Sequence, residues 1–124
     1  MLGTDIVRIE RISHFRERFG DKALERFLSP SEISLIKSDA TAAGFWAAKE
    51  AIAKALGTGI GQTCGFHDIQ IHKDSKGAPY ATLSSSIIDA FSITDIALSI
   101  AHDGGFAIAV VAMTGKRPSQ NLTH

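Results

Sequence analysis

Cysteine is nearly absent from this chain of 124 residues: Cys64 is the only one. An internal disulfide is therefore excluded, and a reducing compartment is the natural setting. No apolar run approaches the ~18 residues of a membrane span, and no charged-then-apolar leader follows Met1, so a cytoplasmic protein is expected. The Asn121-Leu122-Thr123 sequon is then a chance match, because glycosylation requires secretion. An excess of charge is missing too. Thirteen basic and thirteen acidic residues cancel, so net charge gives no reason to expect nucleic acid or an anionic membrane as a partner. A Walker A pattern is lacking. Gly57-x-Gly59-x-Gly61 only superficially resembles a dinucleotide fingerprint, because it closes a helix where the fingerprint must follow a strand and open one. Internal repeats, a linker and a regular βαβ alternation are also missing, which argues against a doubly wound parallel sheet.

What is present fits one domain over residues 1–113, with a tail at 114–124 that has no apolar period and is expected to be disordered. Alternation predicts a strand over residues 2–9, with Asp5 on the same face as Val7 and Ile9. A helix at 11–19 presents Ile12, Phe15 and Phe19, and a second short helix follows at 22–28. Ser29-Pro30-Ser31-Glu32 is a capping box that opens a helix at 30–37. Asp39 or Thr41 caps the main helix, which ends near Leu56 against Gly57 and has Phe45, Ala48, Ile52 and Leu56 as its core stripe. Strands at 67–72 and 78–83 flank a turn at 74–77. A helix at 85–91 and strands at 95–101 and 106–113 complete the chain. The expected class is α+β, a mostly antiparallel sheet packed on a long central helix, in the order β-α-α-α-β-β-α-β-β with three helices counted between the first two strands.

Residues 47–61 concentrate the chemistry. Glu50 and Lys54 share a helix face with the small Ala43 and Ala47, which leave room for a ligand or another backbone. Gly57, Thr58, Gly59 and Gly61 follow, and are expected to offer bare N–H groups. The ordinary alternatives are an exposed i,i+4 ion pair and a helix C-cap. Asp5 is a stronger anomaly, since a carboxylate on an apolar strand face must be paired, hydrogen-bonded or metal-bound. If Asp5 and Glu50 meet across a sheet–helix interface, they suit Mg²⁺, which takes few protein ligands and keeps several waters. Ser99, His102 and Asp103 contain the residue types of a hydrolase triad without the local spacing of a nucleophile elbow. Cys64 reads as an inert thiol. His67 and His72 fall on opposite strand faces and do not share a metal. The arginine-rich stretch from Arg8 to Arg26 is either a solvated face or a dock for an acidic partner.

Gly3-Thr4-Asp5-Ile6-Val7, Glu10-Arg11-Ile12, Lys49-Glu50-Ala51, Lys54-Ala55-Leu56-Gly57-Thr58-Gly59, Phe66-x-Asp68-Ile69, Gly77-x-Pro79 and Ser99-Ile100-x-His102 occur in an order that resembles the 4′-phosphopantetheinyl transferases, over residues 1–113. The resemblance implies transfer of 4′-phosphopantetheine from coenzyme A to a serine of apo acyl carrier protein, in fatty acid biosynthesis. By the same resemblance, Asp5 and Glu50 bind Mg²⁺, and Glu50 or a water on the metal takes the serine proton. Lys54 stabilises the leaving group. Lys49, Lys54, Gly57, Thr58, Gly59, Pro79 and His102 line the coenzyme A site. Arg11, Arg18 and Arg26 dock the carrier protein, and the chain forms a homotrimer with active sites between subunits. The sequence departs from the family pattern at Phe45 and Ala101, where an arginine and a hydroxyl residue are common. A nucleotide-binding or assembly module without transferase activity, and a hydrolase using Ser99 and His102, are the competing functional classes.

Overall fold

The computed structural model describes residues 1–118. The sequon at Asn121, and the part of the expected disordered tail from residue 119 onward, lie outside the described residues.

The chain opens with β1 (Leu2–Arg8), followed by α1 (Ile9–Phe19), α2 (Lys22–Glu25), α3 (Pro30–Ile33) and α4 (Asp39–Leu56). A 3₁₀ turn (Phe66–Asp68) leads into β2 (Ile69–Lys73) and β3 (Pro79–Leu83). Then come α5 (Ser85–Phe91), β4 (Asp95–Asp103) and β5 (Phe106–Thr114). Four helices, not three, separate β1 and β2, because residues 22–25 form a turn of helix of their own. Every strand pairing is antiparallel: β1-β5-β4 form one sheet and β2-β3 a separate hairpin. The class and the sheet-on-helix architecture match the expectation.

α4 packs across the inner face of the β1-β5-β4 sheet. That face is built of small and branched residues: Gly3 and Val7 on β1, and Ala107, Ala109, Val111 and Met113 on β5. Gly3 sets the approach distance, since a Cβ there would stand 1.9 Å from the Ala51 carbonyl oxygen. Ala43, Ala47 and Ala51 are fully buried. Their smallness lets another backbone close in, and so serves the sheet. The expected stripe of Phe45, Ala48, Ile52 and Leu56 is buried, but burial extends around most of the helix, from Ala42 to Leu56. A helix buried all round shows no clean apolar period, so the stripe was only part of its packing.

Local signals set the ends of α4. Ser38, not Asp39 or Thr41, is the N-cap, with its hydroxyl accepting from the Thr41 N–H. Asp39 instead ties α1 to α4, accepting from Ser13 Oγ and Arg16 Nη1 at 2.7 Å each. These bonds, Ser13's foremost, hold its carboxyl below the usual aspartate range. Gly57 closes the helix in the left-handed conformation at φ 83°. The helix at 30–37 is shorter than expected, but its Ser29–Glu32 capping box is formed.

The start of the tail is ordered. Thr114 belongs to β5, the Lys116 N–H donates to the Phe91 carbonyl at 2.7 Å, and Arg117 donates to the Ala55 carbonyl. Main-chain and guanidinium bonds hold this segment without an apolar period, which is why the pattern gave no sign of it.

Candidate active site

Tertiary packing brings Asp5 and Glu50 into electrostatic contact from distant parts of the sequence. Asp5 lies on the inner face of β1 between Gly3 and Val7, and its side chain is 13% exposed. Lys54 Nζ donates to Asp5 Oδ1 at 2.7 Å. The helical pair Glu50–Lys54 is therefore not a self-contained surface ion pair, because Lys54 reaches across to the strand. Glu50 is half-buried one turn earlier. Burial pushes its carboxyl above the usual glutamate range, and the charge of Asp5 pushes it further, against the pull of Lys54 and Arg11. Asp5, Glu50, Lys54 and Arg11 thus form one electrostatic cluster.

The donor set fits a hard divalent cation. A carboxyl raised by a second carboxylate is a site where a shared cation would lower the energy of both charges. Among the described residues no group of three or more His, Cys, Asp or Glu gathers to ligate a metal. Two carboxylates with the remaining positions open to water or substrate oxygen suit Mg²⁺ better than a metal that needs an all-protein cage.

The glycine turn beyond Lys54 differs from expectation in one respect. Its N–H groups are not bare: Gly57, Thr58 and Gly59 all donate back to the Ala53 or Lys54 carbonyls of α4, and Gly61 donates to Cys64. The turn can offer close approach to its backbone, but those amides are already bonded.

Lys49 is a correction. It is fully buried, and its ammonium donates to the Phe27 carbonyl at 2.7 Å, Glu32 Oε1 at 2.8 Å and the Phe66 carbonyl at 3.0 Å. Those three bonds account for every N–H of the group, so Lys49 has none left for a coenzyme phosphate. Burial holds its pKa below the usual lysine value, against the opposing pull of Glu32. The residue points away from Glu50 because neighbours on a helix diverge by about 100°.

Pro79 and His102 lie elsewhere. With Thr41, Gly44, Phe45, Lys73 and Ile100 they line a cavity of about 200 Å³ beside the N-terminal half of α4. Gly44 and Lys54 are separated by about 15 Å along the helix axis. Within one subunit, the residues assigned to a single coenzyme site therefore divide into two groups, Lys54-Gly57-Thr58-Gly59 and Pro79-His102. Ser99 and His102 are also divided. His102 follows Ile100 on the cavity side of β4, whereas Ser99 is exposed on the other face of the sheet. The hydrolase pairing is excluded by that alternation.

Arg11, Arg18 and Arg26 do converge. Arg11 and Arg18 line a groove of about 310 Å³ with Phe15, Phe19 and Trp46. Arg11 lies over the Trp46 ring at 5.6 Å, Arg18 over Phe19 at 5.2 Å, and Arg26 over Phe19 at 4.3 Å. Phe19 is thus part of a cation-rimmed surface and not simply core. Trp46, four residues before Glu50 on α4, was missed by the sequence reading although its helical spacing pointed to it. Lys73 and Thr41 in the His102 cavity carried no comparable signal. Cys64 is buried, with its thiol pushed up to about 11 by burial and then by Asp68, an inert group as expected. His67 lies in the 3₁₀ turn ahead of β2, and no shared metal site with His72 forms among the described residues.

Residues 1–111 match the 4′-phosphopantetheinyl transferase superfamily. The chain is 58% identical over 113 residues to a holo-[acyl-carrier-protein] synthase of Sulfurimonas denitrificans, covering 91% of this chain and 93% of that protein. It is also 58% identical over 117 residues to that of Wolinella succinogenes, covering 94% and 99%. A crystal structure of the Helicobacter pylori holo-[acyl-carrier-protein] synthase in complex with coenzyme A aligns with a TM-score of 0.89 at 52% identity, over 92% of this chain and all of that one. The chain therefore belongs to the 4′-phosphopantetheinyl transferase superfamily and, within it, to the holo-[acyl-carrier-protein] synthases. It is an enzyme, a phosphopantetheinyl transferase. No described helix is long and apolar enough to cross a membrane.

Proposed function

We propose that this enzyme transfers 4′-phosphopantetheine from coenzyme A to a serine of apo acyl carrier protein in a Mg²⁺-dependent reaction. The other product is adenosine 3′,5′-bisphosphate, and the biological setting is fatty acid biosynthesis in the cytoplasm. The observation that carries the reading is the meeting of Asp5 with the Glu50–Lys54 face of α4. Relatives named for this reaction, one of them in complex with coenzyme A, support it.

Asp5 and Glu50 would hold the metal, which when bound neutralises phosphate charge and makes phosphorus a better electrophile. Glu50, more basic than an ordinary carboxylate because of burial and Asp5, is placed to accept the serine proton. Lys54 is a mobile cation for charge that builds on the leaving phosphate. Gly57, Thr58 and Gly59 let the coenzyme come close to the backbone. Pro79 and His102 serve the same ligand from the other cavity, whose apolar floor of Phe45 and Ile100 suits a flat base. The groove edged by Arg11, Arg18 and Arg26 suits an acidic carrier protein, and it leads to Glu50, whose pKa Arg11 influences.

A homotrimer reconciles the divided coenzyme residues. The outer face of the sheet leaves Leu2 73%, Ile6 59%, Val110 45% and Ile108 40% exposed. An apolar sheet face of this kind calls for a partner. Packed on further copies, it would let the His102 cavity of one subunit face the Lys54 end of α4 in the next.

Intact-mass spectrometry of apo acyl carrier protein with coenzyme A and this enzyme tests the reading. A gain of one phosphopantetheine is expected with Mg²⁺ and none with EDTA, and Glu50→Gln should slow transfer by about 10²–10⁴-fold. Undiminished transfer by Glu50→Gln would sink the assignment of roles.

A further inference from the structure

We infer that Arg117, beyond the stretch that matches the family, is a phosphate-binding residue of the coenzyme site; this rests on the reading that coenzyme A phosphates lie at the Lys54–Gly59 end of α4. A helix C-terminus is a poor place for an anion, because its free carbonyls carry about half a negative charge. The glycine turn cannot offset this with its amides, since Gly57, Thr58 and Gly59 donate theirs to α4. Positive charge at this end must come from side chains, and the chain after β5 brings one.

Arg117 donates from Nε and Nη2 to the Ala55 carbonyl at 3.2 and 3.1 Å. Its guanidinium lies against Gly57, where a Cβ would stand 3.1 Å from Nε. Lys54 precedes Gly57 by three residues and lies on the same side of the helix. A second cation therefore stands beside the one already assigned to phosphate. Arg117 is exposed, and its Nη1 makes no hydrogen bond among the described residues.

This placement is built into the fold. Gly115 passes so close to α5 that a Cβ would lie 2.6 Å from the Phe91 carbonyl oxygen. The Lys116 N–H then bonds that same carbonyl at 2.7 Å, which turns the next side chain onto α4. The family match ends at residue 111, so Arg117 is a feature of this chain's own extension.

Steady-state kinetics of full-length Arg117→Gln and Arg117→Lys test the inference. The expected result for Arg117→Gln is a KM for coenzyme A raised about three- to tenfold, with kcat and the KM for carrier protein within about twofold. The KM should also depend less steeply on ionic strength. Arg117→Lys should recover part of the loss. A lowered melting temperature with unchanged KM and salt dependence would make Arg117 a helix cap only and overturn the proposal. Calorimetric titration of adenosine 3′,5′-bisphosphate separates the two readings. If the wild type performs no transfer, the proposed function fails. If it is active and both proteins bind the nucleotide equally, only the role of Arg117 fails.

Discussion

Lys49 and Glu50 are sequence neighbours with opposite fates. Glu50 faces the cleft with Asp5, whereas Lys49 enters the core and joins three separate segments through its ammonium group. Its partner Glu32 also accepts from the Ser29 and Ile71 N–H groups at 2.8 Å each. One carboxylate thus completes a helix cap, fixes β2 and neutralises the lysine, and no buried polar side-chain atom among the described residues lacks a partner. Removing one member strands the other. Lys49→Met should cost about 3–5 kcal/mol by urea unfolding, and adding Glu32→Gln should recover part of it. A loss under about 1 kcal/mol would show that the node is dispensable.

At the scale of elements, α4 organises the site by what it packs on. Gly3 allows β1 to lie on the helix, and the same strand delivers Asp5 two residues later. α1, fastened to the start of α4 through Asp39, carries the arginine-edged groove towards Glu50. Arg11→Glu should raise the KM for carrier protein about tenfold and leave the KM for coenzyme A little changed. The reversal also has a pH signature. Arg11 holds the Glu50 pKa down, so a negative charge there should move the acid limb of kcat/KM to higher pH. Equal losses towards both substrates, with no shift of the pH profile, would remove α1 from docking.

For the whole molecule, one subunit presents two half-sites and an apolar sheet face. Val110 is central in that face, paired across the sheet with Thr4 and Ser99. Its side chain is 45% exposed, so Val110→Glu should fold while disfavouring burial of the face against another copy. Sedimentation should give a trimer for the wild type and a monomer for the variant, with transfer reduced at least tenfold. A wild-type monomer with full activity would refute the trimer and require the two groups of coenzyme residues to act within one chain.

The sequence by itself determined the elements whose causes are local. Alternation marked β1, the Ser29–Glu32 box opened α3, and Gly57 closed α4. Ordered motifs carried the family, and with it the pairing of Asp5 with Glu50. Tertiary structure alone decided which way each polar group faces. Lys49 was assigned to phosphate because a motif places it beside Glu50, but the 100° turn between helical neighbours puts it among buried carbonyls. The glycine amides were expected to be free, yet they bond the last turn of α4. Arg117 gave no signal, because its position depends on how Gly115 clears the Phe91 carbonyl. Hydrogen-bond partners distant in the chain leave no period for a local pattern to register, and so contact geometry, more than composition or spacing, separated the cleft from the core.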